Sequence, residues 1–71
     1  MTELRLHREL YQAAALEQAL GLFAPHGTFV RKEEPSHWVV EITARTLERE
    51  RRIAGELGNY ALGLTVKGRK R

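Results

Sequence analysis

Polar and apolar residues alternate from Thr2 to Tyr11, with Leu4, Leu6 and Leu10 on one side and Glu3, Arg5, His7 and Glu9 on the other. A period of two predicts a half-buried strand over residues 2 to 11, and Arg8, which breaks the apolar side, marks its end or an edge. From Gln12 the period lengthens: Leu16, Ala19, Leu20 and Phe23 fall at i, i+3, i+4 and i+7 among good helix formers. Ala24-Pro25 stops this helix, and Pro25-His26-Gly27 is a turn. Phe29 to Lys32 and Trp38 to Thr43 are rich in β-branched and aromatic residues on either side of Glu33-Glu34-Pro35-Ser36, so they predict a hairpin. In the second of these strands Trp38, Val40, Ile42 and Ala44 face one way, and Val39, Glu41 and Thr43 the other. Residues 46 to 62 predict a long helix, with Thr46 as N-cap and Leu47, Ile53, Ala54, Leu57, Ala61 and Leu64 on its apolar stripe.

The order is strand, helix, strand, strand, helix. A right-handed crossover through the first helix places strand three between strands one and two, antiparallel to each, with both helices on the Trp38 face. The expected fold is therefore a small α+β domain of βαββα order over residues 1–66, a three-stranded antiparallel sheet with two helices on one face. Its core is Leu6, Leu16, Leu20, Phe23, Trp38, Val40, Ile42, Ile53, Leu57 and Ala61. The opposite sheet face, with Val30 and Val39 among charges, stays uncovered in a monomer, and the sheet keeps two open edges. Residues 62–67 read two ways: a continuation of the helix, or, after Gly63, a fourth strand completing a ferredoxin-like βαββαβ fold.

Charge changes this picture little. Of the 71 residues, twelve are Lys or Arg and nine are acidic, all nine Glu, for a formal net charge of +3. Four of the basic groups, Lys67, Arg69, Lys70 and Arg71, fall in residues 67–71, a basic C-terminal tail. The rest holds eight basic groups against nine Glu and is near neutral, which argues against a nucleic-acid-binding domain with its charge spread over one folded face. Only the tail is left as an electrostatic anchor for nucleic acid or an acidic partner. With no Cys there is no disulfide framework and no thiolate metal site, and the N-terminus lacks the apolar run of a signal peptide. No stretch approaches a membrane span, and the expectation is a cytoplasmic protein. A core this small leaves on the order of 3–5 kcal/mol, which favours a homodimer or docking on a larger partner.

Candidate chemistry is sparse. Ser36 is the only serine, and in an extended chain its neighbour His37 points to the opposite face, so the pair makes a poor nucleophile and base. His7, His26 and His37 lie on different elements without metal-ligand spacing, so no metal is expected. Gly55-Glu56-Leu57-Gly58 matches the GxxG string of a nucleic-acid-binding KH loop, yet it lies inside a helix pattern and carries an acid where phosphate would approach. Close packing is the more physical reading: glycines there cost about 0.8–1 kcal/mol each against Ala and allow another element to come near. The surface around Gly55, Gly58, Asn59 and Lys67 is the expected protein-docking site, with the open sheet edge at strand one or two as its competitor.

Two spacings converge on a family. Tyr11, Ala15, Ala19 and Phe23 repeat every four residues through the first helix, and Ala54-Gly55-Glu56-Leu57-x-Asn59-x-x-Leu62-x-x-x-Val66-Lys67 follows in the second. Over residues 10 to 67 this resembles the His-Xaa-Ser system protein HxsD family, although Gly58 and Gly63 stand at positions where helix formers are expected and the basic residue after the Asn is displaced to Lys67. The resemblance implies a small accessory protein encoded beside radical-SAM enzymes that modify a His-Xaa-Ser repeat peptide. The chain has no CxxxCxxC for an iron–sulfur cluster. The role this implies is that of a non-catalytic adaptor without a cofactor, binding the radical-SAM maturase, the precursor peptide, or both. The element order, the Pro that closes the first helix and an Asn in the last helix also look like the small dimerising subunit of the KEOPS tRNA-modification complex. There, however, an Arg one turn before the Asn is typical and position 55 is Gly. A free-standing dimeric scaffold is the third reading.

Overall fold

The computed structural model describes residues 1–69. Its elements are β1 (Thr2–His7), α1 (Ala13–Phe23), a 3-10 turn (Ala24–His26), β2 (Thr28–Glu33), β3 (His37–Thr43) and α2 (Leu47–Arg69). The sheet has the order β1-β3-β2 with both pairings antiparallel, so the βαββα α+β fold and the central place of the third strand are as expected. Leu4 and Leu6 stand opposite Val40 and Trp38, and Phe29 opposite Ile42, which puts these side chains on the helix-covered face. Leu6, Trp38, Val40 and Ile42 form the core with Leu16, Ala19, Ile53, Leu57 and Ala61, while Leu4, Leu20, Phe23 and Phe29 pack half-buried at its margin.

Several boundaries differ from the pattern, each for a tertiary reason. Strand β1 ends at His7 rather than running to residue 11, because the amides of Leu10 and Tyr11 both turn back to donate to the His7 carbonyl. Leu10, in phase with Leu4 and Leu6, is consequently exposed. Helix α2 does not stop at residue 62 but continues to Arg69, so no fourth strand forms among the described residues and the ferredoxin-like alternative does not arise. Thr65, fully buried, accepts a hydrogen bond at 3.1 Å from the backbone N–H of Gln12 and ties this last part of α2 to the start of α1. The helix thus runs past residue 66 into the segment read as tail; Lys70 and Arg71 lie outside the described residues.

The capping of each helix is visible in its bonds. Thr46 Oγ1 accepts from Arg49 N–H at 3.0 Å, as an N-cap should. Gln12 caps α1 without any side-chain bond, and its own backbone N–H donates to Thr65 Oγ1. Leu47, placed on the apolar stripe by periodicity, is exposed. One position inside the stripe is taken instead by Glu50, only 3% exposed. Its carboxylate accepts from Ala44 N–H at 3.0 Å and Thr2 Oγ1 at 2.9 Å and lies 3.1 Å from the amino group of Met1, so it fastens β1, the end of β3 and α2 together.

Candidate functional site

The face away from the helices carries Glu3, Arg5 and His7 of β1, His37, Val39, Glu41 and Thr43 of β3, and Thr28, Val30 and Lys32 of β2. Ion pairs cross it. Arg5 bonds Glu34 and comes within 3.7 Å of Glu3, and Lys32 Nζ reaches Glu41 at 2.9 Å. The hydrogen bond from Arg5, with its charge, holds the Glu34 carboxyl below the ordinary carboxylate range, and the same bond raises Arg5. Lys32 is raised by its bond to Glu41 and by that group's charge. Val39 is nevertheless only 2% exposed, because Arg5 and Lys32 flank it in register and their aliphatic stems cover it while the charged heads reach water. Val30 remains exposed. Among the described residues no element covers this face.

At one end of the sheet two arginines enclose Trp38. The Arg8 guanidinium stands 4.2 Å and that of Arg31 5.2 Å from the ring centroid. Arg8 also donates from its backbone N–H to the Ser36 carbonyl at 2.9 Å and from Nη1 to the Glu34 carbonyl at 2.8 Å, so the β1–α1 turn is locked to the hairpin loop. The residue that breaks the apolar alternation of β1 is therefore a structural clamp. In that loop Ser36 Oγ lies 2.8 Å from His37 Nδ1, contrary to the expectation that the two side chains diverge. The expectation assumed extended backbone, whereas Ser36 sits in a bend. The contact is solvent-exposed, and the His37 ring meets His7 edge-on at 5.0 Å rather than a carboxylate. Among the described residues no group of three or more His, Cys, Asp or Glu is placed to hold a metal ion.

The docking residues read from the sequence are placed on α2 but not gathered at one spot. Gly55, Asn59 and Lys67 are exposed and Gly58 is buried. Lys67 lines a groove against α1 with Gln12, Ala14, Ala15, Gln18 and Leu64. A second groove, of about 400 Å³, lies between the end of α1 and the start of α2 and is lined by Phe23, His26, Arg49, Arg52, Ile53 and Glu56. Gly55 and Gly58 line neither. A Cβ built at either would meet nothing within 4 Å, so among the described residues no element makes the close packing expected of them. Periodicity did not mark Glu50 or Thr65 as buried polar anchors, because the partners that satisfy them are 48 and 53 residues away. No helix is long and apolar enough to cross a membrane among the described residues. No family model, curated protein or solved structure matches the chain.

Proposed function

We propose that this chain is a non-catalytic adaptor, in the manner of the HxsD family it resembles, binding a radical-SAM maturase, its His-Xaa-Ser precursor peptide, or both. The observation that carries the reading is the sheet: three strands, two of them edges, with one face that no element covers among the described residues. An extended peptide adds to such an edge through main-chain hydrogen bonds, and side-chain pairing along the strand supplies selectivity. Of the α2 residues expected to dock a partner, the maturase takes the exposed ones, Gly55, Asn59 and Lys67, with open space beside Gly55 to admit a close neighbour, while Gly58 is buried beneath them. Adaptor work of this kind needs no nucleophile, cofactor or metal of the chain's own.

The experiment is a titration of isotope-labelled protein with a synthetic His-Xaa-Ser repeat peptide, followed by backbone amide shifts, beside co-elution with the maturase. Shifts confined to Thr28–Glu33 or Thr2–His7, or co-elution lost on Gly58→Leu, support the reading. Amide shifts absent throughout, together with no co-elution, would remove it.

A further inference from the structure

The outer edge of β1 is matched to itself. Strand β1 pairs only with β3, so its other side is open. Along this edge Glu3, Arg5 and His7 point to the bare face, and Thr2, Leu4 and Leu6 to the helix face. When two copies of one strand pair antiparallel about a two-fold axis, the positions facing each other add to a constant. That constant must be even here, so that residues with outward-pointing backbone groups meet on both strands. A sum of six opposes Glu3 to Glu3, and a sum of ten opposes Arg5 to Arg5, both unfavourable. A sum of eight opposes Glu3 to Arg5 twice, Leu4 to Leu4 at the axis, and Thr2 to Leu6 twice, and no other even sum overlaps β1 with its copy over more residues.

The helix layer agrees with this edge. Helix α2 runs along β1, fastened near its start by Glu50 to Thr2 and near its end by Thr65 to Gln12. Arg49, Arg52, Ile53, Glu56, Leu64 and Lys67 line the grooves on the α1 side. At about 100° per residue the opposite flank of α2, above the β1 edge, carries Arg51, Gly55, Gly58 and Leu62. Exposed Gly55 and buried Gly58, beside which a built Cβ meets nothing within 4 Å among the described residues, therefore lie on the flank where the second copy's α2 would come alongside.

We propose that the chain forms a two-fold homodimer through the β1 edge, with Glu3 facing the second copy's Arg5, Leu4 at the axis and the Gly55–Gly58 flanks of the two α2 helices side by side. The six strands then make one continuous sheet, and β2 is the edge that remains for an extended peptide. This goes beyond the adaptor reading and does not depend on it; it assigns the Gly55–Gly58 flank of α2 to the second copy and leaves a maturase the exposed side with Asn59 and Lys67.

Sedimentation of the full chain, with Glu3→Arg, Arg5→Glu and the double exchange, tests it, and circular dichroism confirms that each variant is folded. The parent is expected to be a dimer. Either single exchange opposes like charges at two symmetric places and weakens association at least about tenfold, whereas the double exchange restores it. Because Arg5 also bonds Glu34, the Arg5→Glu chain has a second way to fail. Leu4→Cys covers that case: it is the sole thiol in a chain without Cys and is expected to form a disulfide-linked dimer on mild oxidation, whereas Val30→Cys on β2 is not. A parent monomeric at high micromolar concentration, a double exchange that does not restore the dimer, or equal cross-linking at positions 4 and 30 overturns the proposal. A monomer that still binds the His-Xaa-Ser peptide overturns this proposal alone and leaves the adaptor reading standing.

Discussion

Trp38 and Tyr11 are joined by a hydrogen bond from the indole Nε1–H to the Tyr11 carbonyl oxygen, 3.1 Å long, which pins the turn leading into α1 onto the central strand. The ring is 7% exposed and lies in the core cluster. Trp38→Ala is expected to cost about 3–5 kcal/mol through the cavity it leaves. Trp38→Phe keeps most of the apolar ring but leaves the Tyr11 carbonyl unpaired, for about 1–3 kcal/mol. Urea denaturation followed by circular dichroism measures both, and equal stability of the Phe variant and the parent would show that the bond contributes nothing.

The Glu50 carboxylate is stabilised in its charged form by the Ala44 N–H, the Thr2 hydroxyl and the terminal ammonium, which hold its pKa below the ordinary 4.5. The unfolded chain then takes up its proton first as the pH falls. The contribution of Glu50 to stability is full above about pH 4.5 and is lost as the pH drops through the lower, folded-state value. Glu50→Gln is expected to be less stable than the parent at pH 7, with the gap closing on acidification below pH 4.5. Chemical denaturation at a series of pH values reads this directly; a gap independent of pH would mean that the carboxylate acts through shape alone.

Gly58 and Gly27 predict opposite signs for the same substitution. A Cβ at Gly58 meets nothing within 4 Å, so Gly58→Ala is expected to stabilise the fold by about 0.8–1 kcal/mol through helix propensity. A Cβ at Gly27 would lie 2.9 Å from the Thr43 carbonyl oxygen, and Gly27→Ala is expected to destabilise by about 1–3 kcal/mol as the backbone of β3 is pushed aside. Thermal unfolding of the two variants checks the pair. A loss of stability at Gly58→Ala would show that the space beside it is needed empty within the chain.

Thr65 is a buried hydroxyl whose one visible task is to accept the Gln12 amide. Thr65→Val keeps the shape and removes the acceptor, so the amide is left unpaired at a cost of about 1–3 kcal/mol. Hydrogen exchange at Gln12 should accelerate more than that at amides of the α1 interior. Unchanged protection there would show that α1 is held in place by apolar packing only.

The element order, the strand at the centre of the sheet and nearly all of the apolar core were legible in the chain, because period and crossover handedness are local rules that alternating and helical spacing express directly. Trp38, Val40 and Ile42 needed only strand alternation to be assigned one face. The site was less legible. Gly55, Gly58 and Asn59 could be singled out on α2, yet only the packing shows that Gly55 and Asn59 are exposed, that Gly58 is buried, and that neither glycine lines a groove against α1. What the tertiary structure alone decided are the places where a polar group is buried or a charge covers an apolar one: Glu50 between Thr2 and Ala44, Thr65 on Gln12, Arg8 over Trp38, Arg5 and Lys32 beside Val39. A buried polar atom is tolerable only if a partner reaches it, and here most partners come from distant parts of the sequence. Hydrophobic periodicity records which side of an element avoids water, but the identity of the distant group that satisfies a carboxylate or an amide exists only once the chain has closed on itself.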